Sequence, residues 1–394
     1  MTFLALSLSV GISNRTPSES RMALACLSSF GYHTKVRFSS HDTRTSQPTP
    51  KVAVFIMQFL TKFAHIPDTI QEMAKRALPR DVLKIAGSEA QSCARVRLVG
   101  MGGSYNAATA AAEQFLKLGI DARSELASHL VHSSAKTVAT DELVVLISYS
   151  GTSIETIRAA EALRAASRPR LFCITNDPSG QLAALCDATV PQGLTETTHT
   201  PFGPWTATYL TLLKIANAMA GSSLAVAQDV RAECARLLSS ASAIVNLQPE
   251  TPDYIEFFGR GALAATAMQG TLIAREIARV PASPWDASTY RHGPIEAASP
   301  TQLSVIFAAR DGRQAALDVS FAGALKDILQ NVLVVGPDAS DIPVKTSDDL
   351  LPLLSLFVPA VLAYAWGERA GLTAGAFRYT SHSITDEKSL THDR

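Results

Sequence analysis

The chain lacks the phosphate motifs of nucleotide-binding proteins. No Gly-x-x-x-x-Gly-Lys-Ser occurs, and Gly100-Met101-Gly102-Gly103-Ser104-Tyr105 stops short of Gly-x-Gly-x-x-Gly by its last glycine. It also lacks a charge surplus: Lys plus Arg and Asp plus Glu both number 35 in 394 residues. That balance leaves out the basic footprint of a nucleic-acid binder. No uninterrupted run of eighteen apolar residues exists, so no membrane span is expected. The five cysteines are scattered, and none forms a Cys-x-x-Cys pair. A zinc site or a disulfide framework is therefore not expected, and Cys173 and Cys186 read as core thiols of a reducing compartment, the cytoplasm.

What is present is a large apolar fraction, 47% of residues, enough for two domains with cores of their own. Residues 1–56 differ from the rest. They are rich in Ser and Thr and hold only Glu19 and Asp42 as acids. They read as an upstream extension with little packed structure, with Met57 opening the folded part. Beyond it, short apolar runs alternate with helical patterns, which predicts an α/β layer fold with a parallel sheet. A helical pattern breaks at Pro67-Asp68 and resumes over 69–77, and another follows over 81–94. Strand 96–100 leads through a glycine turn into a helix from Asn106 to Leu118. Strands at 143–148, 170–175 and 188–191 come next, then a long helix near 205–220.

The order then repeats. Tyr254-Ile-Glu-Phe-Phe-Gly-Arg-Gly matches Arg95-Val-Arg-Leu-Val-Gly-Met-Gly, and 302–311 matches 143–152, both at an offset of 159 residues. One offset holding across two separate strands indicates an internal duplication joined by a helical linker over 225–246.

Two features carry chemistry. The strand Leu143–Ile147 ends in Ser148-Tyr149-Ser150-Gly151-Thr152-Ser153 and runs on into a helical pattern. Hydroxyls and free backbone N–H groups at a helix N-terminus make an anion cradle that needs no lysine. Serine and threonine also cap helices as a matter of course, so a single hydroxyl would carry no weight. The second feature is Glu276, on a helix face with Met268, Leu272 and Ile273, followed by the turn Arg291-His292-Gly293-Pro294. A carboxyl turned toward the interior has its pKa raised and suits proton transfer near neutrality, with histidine as a usual partner. The plain alternatives are a salt bridge from Glu276 to Arg275 or Arg279, and a loop role for His292. The segment between them, with Pro281 and Pro284, reads as an irregular loop.

Taken together these motifs resemble the double sugar-isomerase (SIS) domain proteins, close to the isomerase half of glutamine–fructose-6-phosphate aminotransferase and its deaminase and deglycase relatives. The resemblance runs over about residues 60 to 390. It rests on Gly102-Gly103-Ser104-Tyr105, Ile147–Ser153, Gly259-Arg260-Gly261, Arg275-Glu276 and Arg291–Pro294. It implies two tandem SIS lobes, 57–224 and 225–394, each a mainly parallel sheet flanked by helices in three layers. It implies that Ser104, Ser148, Ser150 and Ser153, with Gly103 and Tyr149 in the same turns, bind the phosphate of a small phosphorylated sugar. Glu276 would move a proton between C1 and C2, and His292 would assist ring opening in the site of a neighbouring subunit of a homodimer. Neither metal nor cofactor is implied, and no nucleic acid or membrane is expected as partner.

The chain departs from that family in three places. Residues 1–56 are too short for an amidotransferase domain, so none is expected before the repeat. Gly103 and Thr152 replace the usual Thr and Glu. The position of the synthases' Schiff-base lysine falls at His382, although a shift of six residues would offer Lys388. These departures point to an amino-sugar-phosphate deaminase, with a sugar-phosphate deglycase, a ketose–aldose isomerase and a non-catalytic sugar-phosphate regulator as the alternatives.

Overall fold

The computed structural model describes residues 63–87, 95–166, 169–194, 202–224, 229–248, 250–380 and 383–387. The expectations for residues 1–56, His382 and Lys388 lie outside these. The described part opens with two helices, α1 (Ile66–Lys75) and α2 (Arg80–Gly87). Pro67 starts α1 instead of breaking a longer helix, because a first-turn proline has no N–H to lose.

The first lobe is one sheet of five strands: β1 (Arg95–Gly100), β2 (Ala122–Leu126), β3 (Glu142–Ile147), β4 (Arg170–Thr175) and β5 (Ala188–Pro191). Their order is β2-β1-β3-β4-β5, and all neighbours are parallel. Helix α3 (Gly102–Lys117) follows β1, α4 (Ile154–Ala166) follows β3, and α5 (Phe202–Met219) closes the lobe. The linker is two helices, α6 (Asp229–Ser239) and α7 (Ala241–Leu247).

The second lobe has β6 (Ile255–Gly259), β7 (Ala282–Asp286), β8 (Leu303–Phe307), β9 (Asn331–Gly336) and β10 (Ile342–Pro343). Read from β7, their order is β7-β6-β8-β9-β10, the same winding as the first lobe, and again all parallel. Helix α8 (Ala262–Ile273) follows β6, α9 (Gly312–Ile328) follows β8, and α10 (Phe357–Arg369) ends the lobe. The central strands are buried along their length, as expected when helices cover both faces. Strand β7 occupies the stretch expected to be an irregular loop. It is an edge strand, where Pro284 has no ladder bond to break.

The main core is shared by both lobes. Phe115 of α3, Trp205 and Tyr209 of α5, Phe257 of β6 and Trp366 of α10 belong to one buried cluster. Smaller clusters lie under α4 (Ile157, Leu163, Cys173) and under α9 (Phe258, Tyr290, Phe321). One stretch, Leu351–Arg369, is long and apolar enough to cross a bilayer, but 94% of it is buried in the protein core. Its hydrophobicity is accounted for by packing.

The duplication is visible in backbone contacts. Gly100 and Gly259 end the equivalent strands β1 and β6, two or three residues before a helix begins. A Cβ on Gly100 would sit 2.9 Å from Ser104 Cβ, and one on Gly259 only 2.1 Å from the Leu263 carbonyl oxygen. Backbone cannot retreat as a side chain can. We expect Gly259→Ala to lower stability by about 3 kcal/mol. A urea midpoint shift under a third of that would show that the β6–α8 turn relaxes freely.

Candidate functional site

The Ser148–Ser153 turn leaves the C-terminal end of β3, next to β1, after which Gly102, Gly103 and Ser104 form the first turn of α3. Open parallel sheets present their ligand crevice at this edge. Gly151 takes φ +72° and faces Thr175 so closely that a Cβ would lie 2.9 Å from its Oγ1. Glycine is thus required to bend the chain back under the helix.

The hydroxyls are already organised. Ser148 is buried, donates to Ser153 Oγ (2.9 Å) and accepts from the Ser153 N–H (3.4 Å). Ser150 Oγ accepts from the Thr152 hydroxyl (2.9 Å) and N–H (3.2 Å). The Tyr149 hydroxyl points away from the turn, donating to the Leu194 carbonyl (3.2 Å), so this side chain ties β3 to the end of the β5 segment.

The third component has no signature in the sequence. Ser383, in the C-terminal segment, hydrogen-bonds to Ser150 Oγ (2.9 Å) and Thr152 Oγ1 (2.8 Å). The next residue's carbonyl, Ile384 O, accepts the first N–H of α4 from Ile154 (2.9 Å). The tail therefore lies on the hydroxyl turn. A contact across more than two hundred residues leaves no local pattern; the only cue was the alignment of His382, the neighbour of Ser383.

The second lobe reaches the first through α8. Asn106 Nδ2 on α3 donates to the buried Gln269 Oε1 on α8 (3.0 Å), and Gly103 faces Gln269 and Leu272. Glu276 lies seven residues further on, about 10 Å along the helix axis. There the helix widens into a π-turn, Ala274–Ala278, that ends in Arg279 at φ +55°. A π-turn and a left-handed non-glycine residue together mark backbone held away from its relaxed geometry, a frequent companion of functional positions. Helix α10 packs tightly on this turn: a Cβ at Gly367 would sit 2.8 Å from Ile277 O.

The salt bridges considered for Glu276 do not form. Arg275 donates to the Ala282 carbonyl (3.0 and 2.7 Å) and Arg279 to the Ala376 carbonyl (3.0 Å). Among the described residues, the Glu276 carboxyl has no hydrogen-bond or ion-pair partner. Burial alone raises its pKa from 4.5 to about 7. It is thus partly protonated and partly ionised at neutral pH, as a proton shuttle requires.

His292 sits in an exposed turn after a short helix capped by Asp286, which accepts from the N–H groups of Ser288 (2.8 Å) and Thr289 (3.0 Å). Gly293, at φ +129°, turns the chain. Among the described residues, no hydrogen bond or ion pair joins His292 to Glu276 or to the hydroxyl turn. His382 lies outside the described residues. No group of three or more metal-ligating side chains occurs among the described residues.

Comparison with known proteins decides the kind of domain. A model of the SIS domain matches residues 91–218, which hold β1 to β5 and the hydroxyl turn. Residues 91–218 are a SIS domain. The second lobe, beyond the matched range, repeats the SIS strand order. The chain is 27% identical over 271 residues to glutamine–fructose-6-phosphate aminotransferase (isomerizing) from Gloeobacter violaceus, covering 62% of this chain and 44% of that protein. A relative of the same name from Pyrobaculum aerophilum is 24% identical over 344 residues, covering 82% and 56%. The chain thus spans about half the length of these relatives. Among solved structures, glucosamine-6-phosphate deaminase from Thermotoga maritima aligns with a TM-score of 0.67 at 17% identity, covering 85% of this chain and 99% of that one. Tagatose-6-phosphate ketose/aldose isomerase from Escherichia coli aligns at 0.70 and 17%, covering 87% and 100%. At these identities the likeness is one of fold.

Proposed function

We propose that this SIS protein is a phosphosugar enzyme of the aldose–ketose type, and that it deaminates an amino-sugar phosphate such as glucosamine 6-phosphate. The observation that carries the reading is the Glu276 carboxyl: half-buried, unpartnered, held in a π-turn and titrating near neutrality. Structural support alone would have given it an ion pair.

In this reading the phosphate sits on the turns of Ser104 and Ser148–Ser153, where neutral donors and a helix N-terminus hold an anion. Gly103 and Tyr149 frame the turns with their backbone. The Glu276 carboxylate takes the C2 proton of the open-chain amino aldehyde and the aldehyde oxygen gains one, giving an enolamine. Protonation at C1 gives the C2 imine. Water adds at C2 and ammonia leaves, so that glucosamine 6-phosphate and water give fructose 6-phosphate and ammonia. His292, exposed in its own chain, assists ring opening in the site of a second copy, which makes a homodimer the working unit. Ser383 of the tail sits on Ser150, and in this reading His382 gives the sugar a hydrogen bond, since histidine can donate one but cannot form a lysine-type Schiff base. The deglycase reading uses the same proton transfer with an amino acid as leaving amine.

The test is to incubate the purified chain with glucosamine 6-phosphate and, separately, with fructosyl-lysine 6-phosphate, and assay ammonia, lysine and hexose 6-phosphate. Ammonia with fructose 6-phosphate from the first is the expected result. Lysine release from the second alone would move the assignment to a deglycase. No product from either, with binding intact, would make the protein a sugar-phosphate sensor.

A further inference from the structure

The second lobe has a crevice of its own beside the β8 turn, which the duplication aligns with the Ser148–Ser153 turn of the first, and it extends from there along β9 and β10 and away from the β6 turn. It is an open space of about 590 Å³ at the C-terminal ends of β8, β9 and β10, lined among others by Arg310, Asp338, Lys345, Thr346, Ser347 and Asp348. That volume suits a hexose phosphate. By the 159-residue offset, Ala308-Ala309-Arg310-Asp311-Gly312 stands where the first lobe has Tyr149–Ser153. The hydroxyls are gone and a guanidinium has arrived. At the same offset from Glu276 stands Lys117, so the second crevice has no counterpart of the proton-shuttle carboxyl.

The floor of this crevice is tied by hydrogen bonds and its rim by exposed ion pairs. Beneath it the buried Glu233 pairs with Arg236 (2.8 and 2.6 Å) and accepts the Lys345 N–H (2.7 Å). The Tyr209 hydroxyl donates to the Asp349 carbonyl (2.7 Å). On the rim, Arg310 meets Asp348 at 3.4 Å and Lys345 meets Asp338 at 3.5 Å, with all four side chains substantially exposed. Such long, wet pairs hold weakly, so either member is free to take a better partner. The Thr346 hydroxyl, by contrast, is buried and has no hydrogen-bond partner among the described residues, which native structures rarely leave unexplained.

We infer that the second-lobe crevice is a non-catalytic binding site for a zwitterionic polyhydroxylated ligand of the amino-sugar phosphate class. The phosphate exchanges onto Arg310 and Lys345. The ammonium takes the released carboxylates of Asp338 and Asp348, with Asp349 adjacent, and ligand hydroxyls reach Ser347. A phosphate without the ammonium would face three carboxylates against two cations, so the lining selects the zwitterion. The ligand class comes from this lining and not from the reading of the Ser148 turn, so the two can fail separately.

The experiment is calorimetric titration of the full chain, as Glu276→Gln to suppress turnover, with glucosamine 6-phosphate. Two sites per chain are expected. Arg310→Ala with Lys345→Ala should weaken one of them at least tenfold, and Ser150→Ala with Ser153→Ala should weaken the other. Glucose 6-phosphate and glucosamine should each bind the Arg310-dependent site at least tenfold more weakly. A single site indifferent to Arg310 and Lys345 would overturn the inference. So would equal binding of glucose 6-phosphate at the Arg310-dependent site. A single site abolished by the Arg310 and Lys345 changes would support the inference and count against the proposed function of the first crevice.

Discussion

Replacing Glu276 by Gln should cut turnover about 10²- to 10⁴-fold while leaving ligand binding nearly unchanged, the pattern of a group needed only in the transition state. The same change should stabilise the protein in alkaline solution. Glu276 holds its proton to about pH 7 in the folded chain but only to 4.5 in the unfolded one. Between those values the native state binds more protons, so its stability falls as pH rises, and the penalty is complete above about pH 8. The full shift corresponds to about 3 kcal/mol, and about 1–2 kcal/mol after allowance for the part open to solvent. Glutamine does not ionise and escapes the penalty. Its thermal midpoint should exceed that of the parent by a few degrees at pH 8 and match it near pH 4. The wild-type rate should climb through about pH 7 as the carboxylate forms. A Gln variant that turns over normally would remove Glu276 from the chemistry. One whose advantage over the parent is no greater at pH 8 than at pH 4 would show that the carboxyl is not desolvated.

The strand and helix order was legible because each buried parallel strand is a short apolar run, and because one offset reproduced two of them. The hydroxyl turn was legible for a related reason: its glycine and serines sit within six residues of one strand end. What could not be read arises from contacts distant in sequence. Strand β7 carries two features of a loop, Pro284 and polar neighbours, and is a strand only because it lies at a sheet edge beside β6. The π-turn at Glu276 changes which face its carboxyl presents, and no periodicity announces it. The Asn106–Gln269 amide pair joins residues 163 apart. The tail on Ser150 spans still more. In each case the residue types are ordinary, and only the tertiary neighbour gives them meaning.

Arg97 belongs to this second kind, and its loss should be the most destabilising change considered. In sequence it is one charged residue inside the run Val96–Gly100. In the fold it is 1% exposed at the centre of β1, donating to Glu142 of β3 through Nη2 (2.8 Å) and Nε (3.0 Å) and to Glu125 of β2. One guanidinium thus ties three adjacent strands on one face of the first sheet. The duplication puts Glu256 at the equivalent place in β6, buried and satisfied by neutral donors, Gln302 Nε2 (2.8 Å) and Trp285 Nε1 (3.3 Å). Each lobe therefore keeps a charge at this position, but only the first depends on ionic partners. Arg97→Met fills similar volume and strands two buried carboxylates, so we expect a loss of about 3–5 kcal/mol at pH 7. Adding Glu142→Gln and Glu125→Gln to Arg97→Met should recover much of the lost stability at pH 7, because the uncompensated charges are gone. Urea unfolding of the single and triple variants at pH 7 decides the matter. A deficit in Arg97→Met that is untouched by the two Gln changes would assign the residue's role to packing of its aliphatic stem instead of to charge.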